Sequence, residues 1–146
     1  MPDADSPHPA ETLDGVSTVE VRTSASAALI PTIRAVASDL AARADFDLDA
    51  ISDLRMAVDE ACATLVDVAA PRSDLLCTFL VRRDGIEVRA QVRTSGPDAG
   101  VSTDTFGWRV LQTLADDVAV IGPSAGDGAP GTVGIRLDKL AGDPSR

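Results

Sequence analysis

Tyrosine is absent from this chain, and its 146 residues hold only one tryptophan and three phenylalanines. So few rings cannot form the aromatic platform on which single-stranded nucleic acids stack. The one histidine is His8, which excludes His-based catalytic triads and most histidine metal sites. Two cysteines, Cys62 and Cys77, are too few for a disulfide framework or a cysteine metal site. No apolar run approaches the length of a membrane span. The opening MPDADSPHPAETLDG has neither a basic start nor an apolar segment, so it does not read as a signal peptide. A soluble, cytoplasmic protein with no membrane partner is therefore expected. There is also no Lys/Arg-rich block, and the formal net charge is −10. Such a chain repels phosphates, so direct nucleic-acid binding is not expected, and it suits a basic protein partner.

What remains is an ordinary globular composition, 45% hydrophobic and 25% charged, on a length suited to one domain with a real core. Residues 1–15 read as a disordered acidic tail, 16–140 as the folded domain and 141–146 as a second tail. Val16 to Thr23 alternates like a half-buried strand. A helix follows to about Ala44, capped by Ser24 or Ser26, with Pro31 in its first turns and Leu29, Ile33, Val36 and Leu40 as its apolar stripe. Asp47 or Asp49 caps a second helix, which ends near Ala69, before Pro71. Its apolar stripe is Leu54, Val58, Ala61, Leu65 and Val68. Asp53, Glu60, Thr64 and Asp67 lie on a different stripe, with Glu60 and Thr64 one turn apart on one face.

Leu75 to Arg82 alternates again, and Asp84-Gly85 reads as a hairpin turn. Ile86, Val88, Ala90 and Val92 mark the inward face of the partner strand. Phe106 to about Ala115 fits a third helix, with Phe106, Val110, Leu111 and Leu114 apolar. Val118 to Ile121 and Thr132 to Lys139 are strands on either side of a Gly/Pro-rich loop at 122–131. The order β-α-α-β-β-α-β-β predicts an α+β fold, a two-layer α/β sandwich. Its mixed, mostly antiparallel sheet is covered by three helices on one face.

On residue type alone, Glu60 is a solvated or interface carboxylate and Thr64 a helix-surface residue. Gly96 turns the chain, Gly107 starts a helix or allows close packing, and Trp108 is core or interface. Cys62 is a small buried residue rather than a redox centre. Three stretches say more: LRMAVDEACATL at 54–65, FGWRVLQTLADDVAV at 106–120 and GTVGIRL at 131–137. On these the chain resembles the anti-sigma factor kinases of the GHKL (Bergerat-fold) ATPase superfamily, in particular the actinobacterial anti-sigma-F type. The resemblance runs from about Val16 to Leu140.

That resemblance implies ATP and Mg²⁺ held between sheet and helices. It implies Glu60 as general base toward a serine of an anti-anti-sigma factor, taking the hydroxyl proton during phosphoryl transfer. Thr64 falls where the family has an Mg²⁺-binding Asn, and Val68 where it has a His. Thr94-Ser95-Gly96 falls on the family's Asp-x-Gly: Gly96 is kept, but Thr94 replaces the carboxylate that reads adenine. Thr105-Phe106-Gly107 falls on its Gly-x-Gly and keeps only Gly107. The stretch from Gly96 to Thr105 is shorter than the family's phosphate lid and offers fewer backbone N–H groups. Thr132 falls on the threonine that meets adenine. Arg34 falls on an arginine that contacts protein partners, a role suited to bidentate pairing with a carboxylate.

The resemblance thus implies an anti-sigma factor. It would hold a stress- or sporulation-type RNA polymerase sigma factor, be countered by a STAS-domain anti-anti-sigma factor, and work as a homodimer. The altered ATP positions favour a pure binding module. The alternative is an active ATP-dependent serine kinase with Glu60 as base.

Overall fold

The computed structural model describes residues 16–96, 99–122 and 131–142. The tail expected at 1–15 with its His8, residues 143–146, and most of the 122–131 loop lie outside the described residues. Strand β1 (Ser17–Ser24) is followed by a short 3-10 turn at Ala27–Leu29, where the Ser26 hydroxyl accepts from the Ala28 N–H at 3.3 Å. Helix α1 (Ile30–Arg43) follows directly, with Pro31 in its first turn, where its missing N–H costs nothing. Helix α2 (Leu48–Val68) is capped by Asp47, which accepts from the Ala50 N–H at 2.7 Å. Then come β2 (Asp74–Arg82), β3 (Gly85–Arg93), α3 (Phe106–Leu114), β4 (Asp117–Ile121) and β5 (Thr132–Leu140). Thr105 caps α3 by accepting from the Trp108 N–H at 3.0 Å.

The expected element order and two-layer architecture are both present. The sheet runs β1-β2-β3-β5-β4, and every pairing is antiparallel, so the parallel component allowed for in a mixed sheet is absent among the described residues. Alternation decides which face is covered. Leu75, Cys77, Phe79 and Val81 on β2, Ile86, Val88, Ala90 and Val92 on β3, and Val133, Ile135 and Leu137 on β5 are buried under the helices. Fully burying side chains such as Phe79, Leu54, Leu65 and Ile33 stabilises the fold by roughly 1.5–3 kcal/mol each.

The opposite sheet face carries charge instead. Glu87 stands opposite Asp138, and Arg89 opposite Arg136. These like-charge neighbours are relieved diagonally. Arg82 reaches Asp138 at 3.4 Å and Glu87 at 3.9 Å, Arg89 reaches Glu87 at 2.6 Å, and Arg136 pairs with Asp138 and, at 2.9 Å, with Asp117.

Three local expectations shift. In α1 the fully buried positions are Ile33, Ala37 and Ala41, while Leu29 and Val36 are only half-buried. The β2–β3 turn residues are Arg83 and Asp84, because Arg82 pairs with Gly85, and neither turn residue has a positive φ. Gly85 serves packing: a Cβ there would lie 2.8 Å from the Lys139 carbonyl of β5. Phe106, expected on the apolar stripe of α3, is 80% exposed, whereas Trp108 and Leu111 are the buried residues of that helix. The Thr105 cap fixes where the helix begins and turns its first side chain outward.

Candidate functional site

The residues singled out in the sequence fall into separate places. Glu60, Thr64 and Gly107 come together where α2 meets the first turn of α3. A Cβ built on Gly107 would stand 2.4 Å from Glu60 Oε2, so the glycine is what lets the carboxylate lie against α3. A negative group beside a helix N-terminal turn is favourable by about 0.3–1 kcal/mol. Thr64 donates its hydroxyl to the Glu60 carbonyl at 2.9 Å and lies 3.4 Å from Oε2. No ion pair is formed by Glu60 among the described residues.

Thr94 lies at the C-terminal end of α2. Its hydroxyl and its N–H both donate to the Gly131 carbonyl, at 3.1 and 2.8 Å, and it forms a β-bridge with Ala69. Gly131 has φ 77°, a left-handed conformation that favours glycine. Ser95 N–H donates to the Val68 carbonyl at 3.1 Å and Ala70 N–H to the Arg93 carbonyl at 2.7 Å. Thr94 therefore clips the exit of β3 to the entry of β5 and the end of α2. No atom of the described residues lies within 4 Å of a Cβ built on Gly96, so close packing among them does not require the glycine. Thr132 lies opposite Arg93 in the sheet and lines a hollow of about 280 Å³ with Arg22, Asp74, Leu76 and Gln91. That hollow belongs to the charged, uncovered face, away from Glu60. A second hollow of about 620 Å³, lined by Ala44, Asp45, Arg83, Asp84 and Leu140, lies at the other end of α1 and touches none of the named site residues.

Arg34 does not project freely. Its Nη1 lies 3.0 Å from Asp59 Oδ2, joining α1 to α2, with both side chains about one-third exposed. The other oxygen, Asp59 Oδ1, is buried and has no hydrogen-bond partner among the described residues. Asp59 was not legible as a site residue, because nothing in the spacing links it to a residue 25 positions earlier.

Cys62 and Cys77 meet in the core with their sulfurs 3.9 Å apart. The hydrogen bond with Cys77, then burial, push the Cys62 thiol far above the usual thiol range. Both thiols are buried in the core, and the raised pKa keeps the Cys62 thiol in its less reactive protonated form.

An antiparallel sheet under three helices, with an acidic α2 meeting a glycine at the start of α3, agrees with a histidine kinase-like ATPase fold. The model of the histidine kinase-like ATPase domain matches residues 23–129, and the chain belongs to that family. Among characterised proteins, it is 36% identical over 104 residues to the anti-sigma-F factor RsbW of Mycobacterium tuberculosis, in strains CDC 1551 / Oshkosh and ATCC 25618 / H37Rv alike. The match takes in 71% of this chain and 61% of each relative's length.

Members of this family generally bind ATP with Mg²⁺. The side chains here do not fit that ligand well. The Thr64 hydroxyl donates to the Glu60 carbonyl and keeps its oxygen lone pairs, but it is shorter than the amide it replaces. Thr94 offers no carboxylate; its hydroxyl donates to the Gly131 carbonyl, and only its neutral oxygen is left to accept from an adenine amino group. At the start of α3, an incoming phosphate would meet the Glu60 carboxylate already lying there. No helix among the described residues is long and apolar enough to cross a membrane.

Proposed function

We propose that this chain is an anti-sigma factor acting by stoichiometric binding. It holds a stress- or sporulation-type RNA polymerase sigma factor away from core polymerase and releases it when a STAS-domain anti-anti-sigma factor competes for the same protein. It works in the cytoplasm as a homodimer, and no nucleotide-dependent step is part of the cycle. The likeness to the anti-sigma-F factors supports the partner class, and the net charge of −10 suits a basic sigma surface. The observation that carries the binding-only version is the Glu60 carboxylate lying against the first turn of α3, where it would meet an incoming phosphate, with a neutral Thr94 where the resemblance places the carboxylate that reads adenine.

Arg34 is the residue proposed to meet the partners. Asp59 holds its guanidinium at the α1/α2 seam, where the remaining N–H groups can take a partner carboxylate. Isothermal titration with ATP and with ADP, each with and without Mg²⁺, tests the binding-only version. No heat at millimolar nucleotide is expected, together with binding of the sigma factor by the nucleotide-free protein. Micromolar, Mg²⁺-dependent binding would instead support the kinase reading. In that case Glu60→Gln should abolish serine phosphorylation of the antagonist.

A further inference from the structure

We propose that the hollow lined by Thr132, on the uncovered face of the sheet, binds a small dicarboxylate such as succinate or glutarate. This does not rest on the anti-sigma reading. The chain carries a formal net charge of −10, yet this end of the sheet is basic. Arg22, Arg93 and Asp74 line the hollow, and Arg72 adjoins its wall at Ser73. Three guanidinium groups thus stand against one carboxylate. Among the described residues Arg72 and Arg93 form no ion pair, and Arg22 reaches only Asp74, at 3.6 Å. Elsewhere on this face Arg82, Arg89 and Arg136 are all paired. The surplus of two positive charges suits a ligand with two negative ones.

The layout keeps those two charges apart. Arg22 and Arg93 lie on β1 and β3 with β2 between them, so their strands are roughly 10 Å apart. The half-buried Leu76 stands between Arg22 and Gln91 in the pairing register and gives the hollow an apolar floor. An aliphatic spine can rest on Leu76 while each carboxylate meets one guanidinium fork, whereas a monocarboxylate can use only one end. Gln91 adds an amide donor. The walls are held by the backbone. The Ser73 N–H and hydroxyl both donate to the Ala70 carbonyl, and the Ser73 carbonyl accepts from the Ala25 N–H at 2.9 Å. The Arg93 carbonyl accepts from the Ala70 N–H at 2.7 Å. Between Ala70 and Ser73, Arg72 has φ 58°, a left-handed conformation that glycine adopts with less strain. Such strain concentrates where the residue itself is used, and here it keeps an arginine beside the hollow.

An NMR titration of the full chain with glutarate at constant ionic strength, followed through backbone amide shifts, tests the site. Saturable shifts at Arg22, Leu76, Gln91 and Arg93 are expected, with a Kd on the order of 1 mM. Acetate, with one carboxylate, should bind at least about tenfold more weakly. Arg22→Gln and Arg93→Gln should each weaken glutarate binding at least about tenfold with unchanged circular dichroism, and Asp74→Asn should tighten it. Arg55→Gln, at an exposed position on α2, should leave it unchanged. Arg72→Gly separates use from structure. Its thermal midpoint should hold or rise as the left-handed strain is relieved, while glutarate binding weakens about threefold. Shifts that never saturate, or that sodium chloride reproduces, would overturn the site. So would shifts centred on the first turn of α3, or a loss in Arg55→Gln equal to that in Arg93→Gln. Equal affinity for acetate would overturn the dicarboxylate.

Discussion

Asp59 and Glu60 are neighbours on α2, yet they serve different seams. Successive helical residues point about 100° apart, so Asp59 turns toward α1 and Glu60 toward α3. Asp59 meets a cation, Arg34, at 3.0 Å and has one oxygen fully buried. Glu60 meets a glycine, its own helix's Thr64 and the start of a helix, with no cation among the described residues. The first carboxylate is tied down and contributes to holding two helices together. The second rests in place with little to hold it. A side chain poised for a partner or a reaction needs that freedom, whereas one that positions another residue does not. The two seams should therefore respond differently to substitution.

The largest separation should come from removing what anchors α3. Leu111 is fully buried beneath it. Leu111→Ala should cost about 2–5 kcal/mol by lost burial and a residual cavity, read from the urea midpoint. It should loosen the Glu60 seam while leaving the Arg34–Asp59 seam formed. A loss below about 1 kcal/mol would mean that α3 is not anchored through this residue.

Next comes the charged seam. Arg34→Ala leaves Asp59 facing the α1/α2 boundary without its cation, and about 1–2 kcal/mol should be lost. Much of that should be recovered by adding Asp59→Ala, since the unpaired carboxylate, not the missing arginine, is the costly species. A double-mutant cycle with a coupling near zero would sink the claim that the pair holds the helices. Arg34→Ala should also weaken sigma binding, whereas a substitution on the charged sheet face, such as Arg89→Ala, should not.

How much of this contrast was legible in the sequence depends on the range of the interactions. The cap read as Asp47 or Asp49 is Asp47, the alternation of Leu75, Cys77, Phe79 and Val81 is present, and of the stripe Leu54, Val58, Ala61, Leu65 and Val68 all but the half-buried Val68 are core; each follows from local geometry. The motif stretches likewise placed Glu60, Thr64 and Gly107, of which the first two share a helix face by spacing. Their meeting with Gly107 joins residues far apart in sequence. The clip from Thr94 to Gly131 and the pairing of Arg34 with Asp59 depend on how helices and strands finally pack, and no periodicity encodes them. Phe106 misled because an apolar residue at a helix start is indistinguishable from a core residue until the cap fixes the phase.

The uncharged seam should be soft. Glu60→Gln removes a charge that lacks an ion-pair partner, so stability should change by no more than about 0.5 kcal/mol. Gly107→Ala is more informative in combination. In the wild-type background its methyl must push Glu60 Oε2 out of its place, offsetting the better helix propensity of alanine. In a Glu60→Ala background the obstacle is gone, and Gly107→Ala should stabilise by up to about 1 kcal/mol. If both backgrounds respond alike, the carboxylate does not rest against Gly107.

The smallest effect separates both seams from the sheet's own ion pairs. The hydrogen bond from Arg136, then its charge, hold the exposed Asp117 carboxyl below its usual value of 3.8. A lowered carboxylate pKa stabilises the fold above the unfolded-state value, and that stabilisation is lost as pH falls through the folded-state value. Asp117→Asn should therefore flatten the acid limb of a stability–pH curve below about pH 4, with little change near neutrality. The change should be modest, because Asp117 is exposed to screening and Arg136 keeps its second partner, Asp138. Thermal midpoints measured across the acid range in low salt read this directly. Superimposable curves for wild type and Asp117→Asn would show that the β4 edge draws nothing from its ion pair. Acid sensitivity would then have to come from elsewhere in the fold, with the Arg34–Asp59 seam the first place to look.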